Sequence, residues 1–340
     1  MVGMRRRLLF LAIGLFLLEE VLPGQDRQEI LKRLELTMGP LPAIDHSAPL
    51  DVKILEEVKL PQYRRQKITF RSPDGDRIPA YLLLPNRPGK RPGVLCLHQT
   101  TRIGKDEPAG LGGKPNLHYA AELAEHGYVA IVPDYPSFGD YAYSFNDPEY
   151  VSGTMKGIVN HIRAVDLLIS LPEVDANRIG VIGHSLGGHN ALFVAAFDTR
   201  IRVVVTSCGF TSMAKYKGGN LKGWDQKRYM PLVGERYHNS PAELPWDFTD
   251  VLTAIAAADF RPGPGRPPHP ARLPRAVFIN APLHDDNFEV SGVDDCVRAV
   301  KARFQQGNLV VVHPDCAHDF PPEVREQAYR FLDEHLARPR

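Results

Sequence analysis

Residues 178–196 read RIGVIGHSLGGHNALFVAA. The first third is apolar with β-branched residues at alternate positions. The last half is rich in Ala, Leu and Phe, a strand followed by a helix. Between them Gly183 and Gly187 stand two residues either side of Ser185. Glycines there permit a sharp strand-to-helix turn in which the serine takes strained backbone angles and stands exposed above the sheet. The same turn sets the serine at the head of a helix, whose free N–H groups favour a developing oxyanion. A lone Gly-x-Ser-x-Gly is common by chance; the strand before it and the helix after it are the context the motif needs.

Outward from this turn, short β-rich runs alternate with amphipathic stretches, the pattern of a parallel sheet covered by helices. Strands are expected at 67–71, 78–84, 93–98, 128–132, 178–183, 202–207, 276–280 and 308–313. The first two flank Ser72-Pro73-Asp74-Gly75 and read as an antiparallel hairpin at one sheet edge. Later strands are almost continuously apolar, as when both faces are buried. Helices are expected at 116–126, 156–171, 186–197, 291–305 and 323–336. The fold class is therefore α/β: an eight-stranded, mostly parallel sheet with helices on both faces. Residues 67–340 form this domain, preceded by a helical, Pro-rich extension at 25–66. An insertion at about 210–274 holds Trp224, Tyr229, Tyr237, Trp246 and the run RPGPGRPPHP. Long insertions above the carboxyl ends of parallel strands commonly build ligand sites.

A serine hydroxyl is a weak nucleophile and needs a base with an acid behind it. After the strand AVFIN come His284, Asp285 and Asp286; after LVVVH come Cys316, Ala317 and His318, just ahead of the last helix. Asp285, nearer the strand end, is preferred to Asp286 as the acid, and Asp294 and Asp295 fall on the next helix. His318 sits on a loop and is the expected base, whereas His313 ends its strand and is expected to be bonded within the scaffold. For the oxyanion the donors are the N–H of Leu186 and one from LCLHQTT, with Thr100 ahead of Gln99. His98 is expected to order that loop. Arg102 and Lys105 come next on it, either solvated or facing an anionic substrate group.

Lys and Arg (41) balance Asp and Glu (40), which leaves no electrostatic footprint for nucleic acid. Arg5–Arg7 followed by an apolar run from Leu8 to Leu18 has the layout of a signal peptide over residues 1–24, and export is expected. The run is shorter than the about 20 apolar residues a membrane-spanning helix needs, so no stable insertion is expected after processing. Four cysteines allow a disulfide without demanding one. No metal site is expected: His184 and His189, five apart, fall on different helix faces. No cofactor is expected either, because neither GGK at 112–114 nor GKD at 104–106 continues as a phosphate loop.

GHSLGG, HQTT, VPDYPSFGD, HDD and AHDFP together resemble the dienelactone hydrolase, prolyl oligopeptidase and acetyl xylan esterase branch of the α/β-hydrolases, over about residues 65–338. The resemblance implies Ser185 as nucleophile, Asp285 as acid, His318 as base, and Leu186 and Thr100 as oxyanion donors. Dienelactone hydrolases carry a cysteine where Ser185 stands, and prolyl oligopeptidases add a repeat-built propeller that this chain lacks. The expected activity is that of a serine hydrolase acting on a small-molecule ester, acetylated carbohydrate included. A serine peptidase of the prolyl oligopeptidase type and a catalytically silent carbohydrate- or protein-binding relative are the rival expectations.

Overall fold

Consecutive side chains of a strand leave opposite faces of a sheet. In the run RPGVLCL, Val94 and Cys96 enter one apolar core while Leu95 and Leu97 enter the other. The computed structural model, which describes residues 23–146, 149–257 and 274–337, shows this partition in strand after strand. The chain runs α1 (Pro23–Met38), β1 (Lys53–Lys59), β2 (Tyr63–Arg71), β3 (Arg77–Pro85), β4 (Arg91–Leu97), α2 (Tyr119–Glu125), β5 (Val129–Pro133), α3 (Gly153–Ser170) and β6 (Val174–His184). It continues with α4 (Leu186–Phe197), β7 (Ile201–Ser207), α5 (Leu232–Glu235), α6 (Phe248–Ala256), β8 (Ala276–Asn280), α7 (Val290–Val300), β9 (Leu309–Val312) and α8 (Pro322–His335). The nine strands form one sheet in the order β1-β2-β3-β5-β4-β6-β7-β8-β9. Strands β1, β2, β3 and β5 pair antiparallel in succession, and all pairs from β5 to β9 are parallel.

The core on one face takes α1, α3, α4, α6 and α7; the other takes α2 and α8. Each fully buried Val, Leu or Ile side chain contributes roughly 1.5–3 kcal/mol relative to leaving it in water. Both faces of the central strands are therefore strongly stabilised, which accounts for their unbroken apolar sequence. Helix α1 places Ile30, Leu34 and Met38 in the first core, four residues apart and on one stripe.

The structure differs from the sequence expectations at the amino-terminal edge. There are nine strands among the described residues, not eight, because KILEEVK in the extension forms β1 and pairs with β2. The 72–75 hairpin is consequently one strand in from the edge. Strand β1 is exposed at nearly every position, so it carries no alternating apolar signal. The stretch 210–257 is no solvated loop: Phe210, Met213, Leu221, Trp224, Met230, Val233, Trp246 and Phe248 are all buried. Most of the expected signal segment and the whole RPGPGRPPHP run lie outside the described residues. Among the described residues no helix is long and apolar enough to cross a membrane.

Strands β4 and β6 are neighbours, yet the chain leaves β4 for β5 on one side and reaches β6 on the other. Loops diverge at such a switch point and open a crevice beyond the carboxyl ends of the strands. Ser185, Thr100, Asp285 and His318 lie on turns and loops at that end, and Leu186 opens α4 there.

Candidate active site

Ser185 occupies the turn between β6 and α4 at φ 55° and ψ −116°. A non-glycine residue held there is strained, a cost of about 1–3 kcal/mol that persists only where surroundings enforce it. Here the surroundings are backbone. The Ser185 N–H donates to the Ser207 carbonyl at 2.8 Å, and the His189 N–H donates to the Ser185 carbonyl at 3.1 Å. Both flanking glycines are needed for close approach. A Cβ on Gly183 would lie 2.2 Å from the Gly187 carbonyl oxygen, and one on Gly187 would lie 1.9 Å from that of Leu97. The head of α4 thus presses directly on the end of β4 and the loop beyond it.

Asp285 and His318 come from the loops after β8 and β9. The His318 Nδ1–H donates to Asp285 Oδ2 at 2.9 Å. The other oxygen, Oδ1, accepts the backbone N–H groups of Asn287 at 2.8 Å and Phe288 at 3.1 Å. The Asp285 side chain is 1% exposed and that of His318 20%. Burial works to raise the Asp285 carboxyl, but the hydrogen bond and charge of His318 with the two N–H groups outweigh it and hold it below the usual range. Asp286 points to solvent, which separates the two candidate acids. The rings of Phe288 and His184 pack on His318, with centroids 6.1 and 4.7 Å away.

Ser185, Leu186, Thr100, Gln99 and His318 line one cavity of about 380 Å³. The Thr100 hydroxyl meets that of Tyr229 at 3.3 Å, and the Gln99 amide turns away to donate to both oxygens of Glu107. His98 orders this loop as expected. The Tyr135 N–H donates to its Nε2, so Nδ1 carries the proton and donates to the Gln99 carbonyl at 2.6 Å. His313 is held in the scaffold by the Ala281 carbonyl and Asp294, and Asp295 pairs with Lys215 and Arg298.

Lys105 corrects an expectation. It is neither solvated nor facing the cavity; its side chain is 1% exposed, and the ammonium lies 2.9 Å from Asp134 and 2.7 Å from Asp140. Arg102 is exposed. The insertion expected to build a ligand site supplies Trp224 and Tyr229 together with Tyr216, Gly223 and Gln226; the rest of the wall comes from residues that no sequence motif marks, His189 one turn along α4 and Asn287 and Phe288 beside the acid. The spacing of His189 four residues after Ser185, on one helix face, was the available signal for it.

Ligating atoms of His184, Cys208 and His318 lie within 4.8 Å of one another. The Nδ1 atoms of the two histidines are taken by the Ser207 hydroxyl and Asp285, and burial pushes the Cys208 thiol well above its ordinary value, away from the thiolate a metal requires. All four cysteines are free.

A Bacillus subtilis protein named as a hydrolase, YtaP, is 28% identical over 91% of this chain and 100% of its own length. The chain spans 22% to 55% of the length of seven further curated relatives that it matches. Among solved structures, a glucuronoyl esterase from Solibacter usitatus superposes with a TM-score of 0.66 at 15% identity, covering 92% of each chain. Acetyl xylan esterase 1 from a Thermoanaerobacterium gives 0.60 at 19% identity over 93% of this chain and 95% of its own. Both share the fold. The sequence model of the alpha/beta hydrolase family matches residues 108–333, through the elbow, the acid loop and the histidine loop, and the chain belongs to that family.

Proposed function

We propose that the protein is a serine hydrolase of neutral carboxylic esters, with Ser185, His318 and Asp285 as its triad. One observation carries this reading: a strained serine at a helix head shares a cavity with a histidine whose far nitrogen is tied to a buried carboxylate. His318 Nε2 takes the Ser185 proton as the hydroxyl oxygen attacks the ester carbonyl. The tetrahedral oxyanion rests on the N–H groups of Leu186 and Thr100. His318 then gives the proton to the departing alcohol, and the acyl-enzyme forms. Water attacks it with His318 again as base, releasing the acid and regenerating Ser185.

None of the thirteen described residues that line the cavity is Asp, Glu, Lys or Arg. A peptidase that grips a free amino terminus needs a carboxylate there, and a hydrolase of phosphorylated thioesters needs cations. The uncharged wall favours neutral esters. Acetylated carbohydrate is the substrate class we favour, on the polar tips of Tyr216, Gln226, Tyr229 and Asn287 and on the fold shared with carbohydrate esterases. Export, proposed from residues 1–24, is tested by sequencing the amino terminus of the secreted protein.

The test is labelling by a fluorophosphonate and turnover of p-nitrophenyl acetate by wild type and Ser185→Ala. Both signals should vanish together, with turnover falling roughly a thousandfold or more. Near-normal turnover in the folded variant would end the assignment.

A further inference from the structure

Asn280 ends β8 and is paired in register with Ser207, which ends β7. The two residues are 1% and 0% exposed. The Asn280 side chain donates twice from one nitrogen: Nδ2 lies 2.8 Å from Ser207 Oγ and 2.9 Å from the Asp319 carbonyl oxygen. A carbonyl only accepts, so the amide nitrogen must face Asp319, which fixes the orientation of the carboxamide. Its other atom, Oδ1, is buried with no hydrogen-bond partner among the described residues. A buried acceptor without a donor costs stability, and an apolar residue of the same shape would avoid that cost. What the amide supplies, and the apolar residue could not, is the bridge made by its two hydrogens.

The ends of the bridge hold different parts of the site. Ser207 anchors the serine turn. Its carbonyl accepts the Ser185 N–H at 2.8 Å, and its hydroxyl meets Nδ1 of His184, the residue before the nucleophile, at 2.9 Å. Asp319 follows His318, so its carbonyl belongs to the loop that presents the imidazole. Asp319 has two further holds: Asn116 Nδ2 on its carboxylate at 2.6 Å and the Cys208 thiol on its carbonyl at 3.4 Å. The first ties it to the turn before α2, away from the serine, and a thiol is a weak donor. The Asn280 amide is thus the stronger of the two polar ties from the strand ends under Ser185 to the histidine loop.

We propose that Asn280 is a positioning residue: its amide sets the distance and angle at which His318 meets the Ser185 hydroxyl, without touching substrate. The inference rests on the ester hydrolase reading and deepens it. Proton transfer needs donor and acceptor within hydrogen-bond reach, and a misplacement of about 1 Å from a change outside the reacting groups can cost about a hundredfold. Acylation and deacylation both use His318, so both slow together. Binding is set by the cavity wall, whose lining residues do not include Asn280. Loss of the bridge therefore falls on kcat and leaves KM nearly unchanged.

The experiment compares wild type, Asn280→Leu and Asn280→Asp in two measurements. One is turnover of p-nitrophenyl acetate; the other is the downfield proton NMR signal of the His318 Nδ1–H, assigned by its absence from His318→Ala. Leucine removes the bridge with little change of shape, and aspartate sets an acceptor against the Asp319 carbonyl. In each variant kcat should fall about ten- to a hundredfold with KM within about threefold. The Nδ1–H signal should broaden or vanish as the imidazole loses its fixed place against Asp285. Two variants are used so that a failure to fold in one leaves the other to decide. A kcat within about threefold of wild type in a folded variant, a loss confined to KM, or a lowered kcat beside an unchanged Nδ1–H signal overturns the positioning role while the hydrolase assignment stands. Absence of turnover in wild type overturns the hydrolase reading and the positioning role with it.

Discussion

Replacing Asp285 by Asn tests the geometry of the site more sharply than removing the nucleophile. The substitution keeps size and shape but exchanges one carboxylate oxygen for an NH₂ group. Oδ1 is anchored by two backbone donors, Asn287 N–H at 2.8 Å and Phe288 N–H at 3.1 Å. Two donors there require an acceptor, so the amide oxygen must take that position and the NH₂ must face His318. It then donates to Nδ1 and forces the proton onto Nε2, the tautomer that cannot accept from Ser185. Amide-for-carboxylate exchange with this consequence costs about ten-thousandfold in kcat in a well-studied triad, which corresponds to roughly 5.5 kcal/mol of barrier. We expect the same order for Asp285→Asn on p-nitrophenyl acetate at neutral pH, with circular dichroism confirming the fold. Asp286→Asn, at a solvent-facing side chain, should stay within about twofold, as surface changes generally do. A folded Asp285→Asn variant that loses less than about tenfold would refute the tautomer argument and with it the role of Asp285.

Gly187→Ala should cripple activity through backbone displacement, because its Cβ would fall 1.9 Å from the Leu97 carbonyl oxygen and 2.9 Å from that of His98. The Thr100 loop must move away from α4; a melting temperature within about a degree of wild type and unchanged turnover would show that the contact is soft. Lys105→Met leaves Asp134, 0% exposed, without its cation, and urea unfolding should register a loss of about 3–5 kcal/mol. A loss below about 1 kcal/mol would mean the cluster reorganises at little cost. Asp140 has its carboxyl lowered to about 2 by hydrogen bonds from Lys105 and Lys67. Its contribution to stability is therefore complete above about pH 4 and disappears as pH falls toward 2. In Asp140→Asn the dependence of melting temperature on pH should flatten over that window; an unchanged slope would contradict the shift.

Local chemistry made much of this protein legible in its sequence. Strand and helix periods come from neighbouring residues, so β2 through β9 and most helices could be placed within a few residues. The elbow was legible because a positive-φ serine between two close-packed glycines is a property of five consecutive positions. Strand β1 was not, because an edge strand buries little: Ile54 and Leu55 are 57% and 59% exposed. Its place in the sheet is set by pairing with β2 rather than by any pattern of its own. The choice between Asp285 and Asp286 awaited the loop, whose turn buries one side chain and exposes its neighbour. Lys105 looked like a surface residue until folding brought Asp134 and Asp140, 29 and 35 residues away, to its ammonium. His189 and Trp224 likewise lie on different elements, and only the packing of the insertion over α4 sets their rings 4.8 Å apart. Short-range backbone and burial preferences were enough for the fold class, the strained serine turn and the place of the histidine loop, since each is written in a few neighbouring residues. Which charges are buried, and which side chains line one cavity, depends on residues far apart in the chain, and those pairings exist only once the chain has folded.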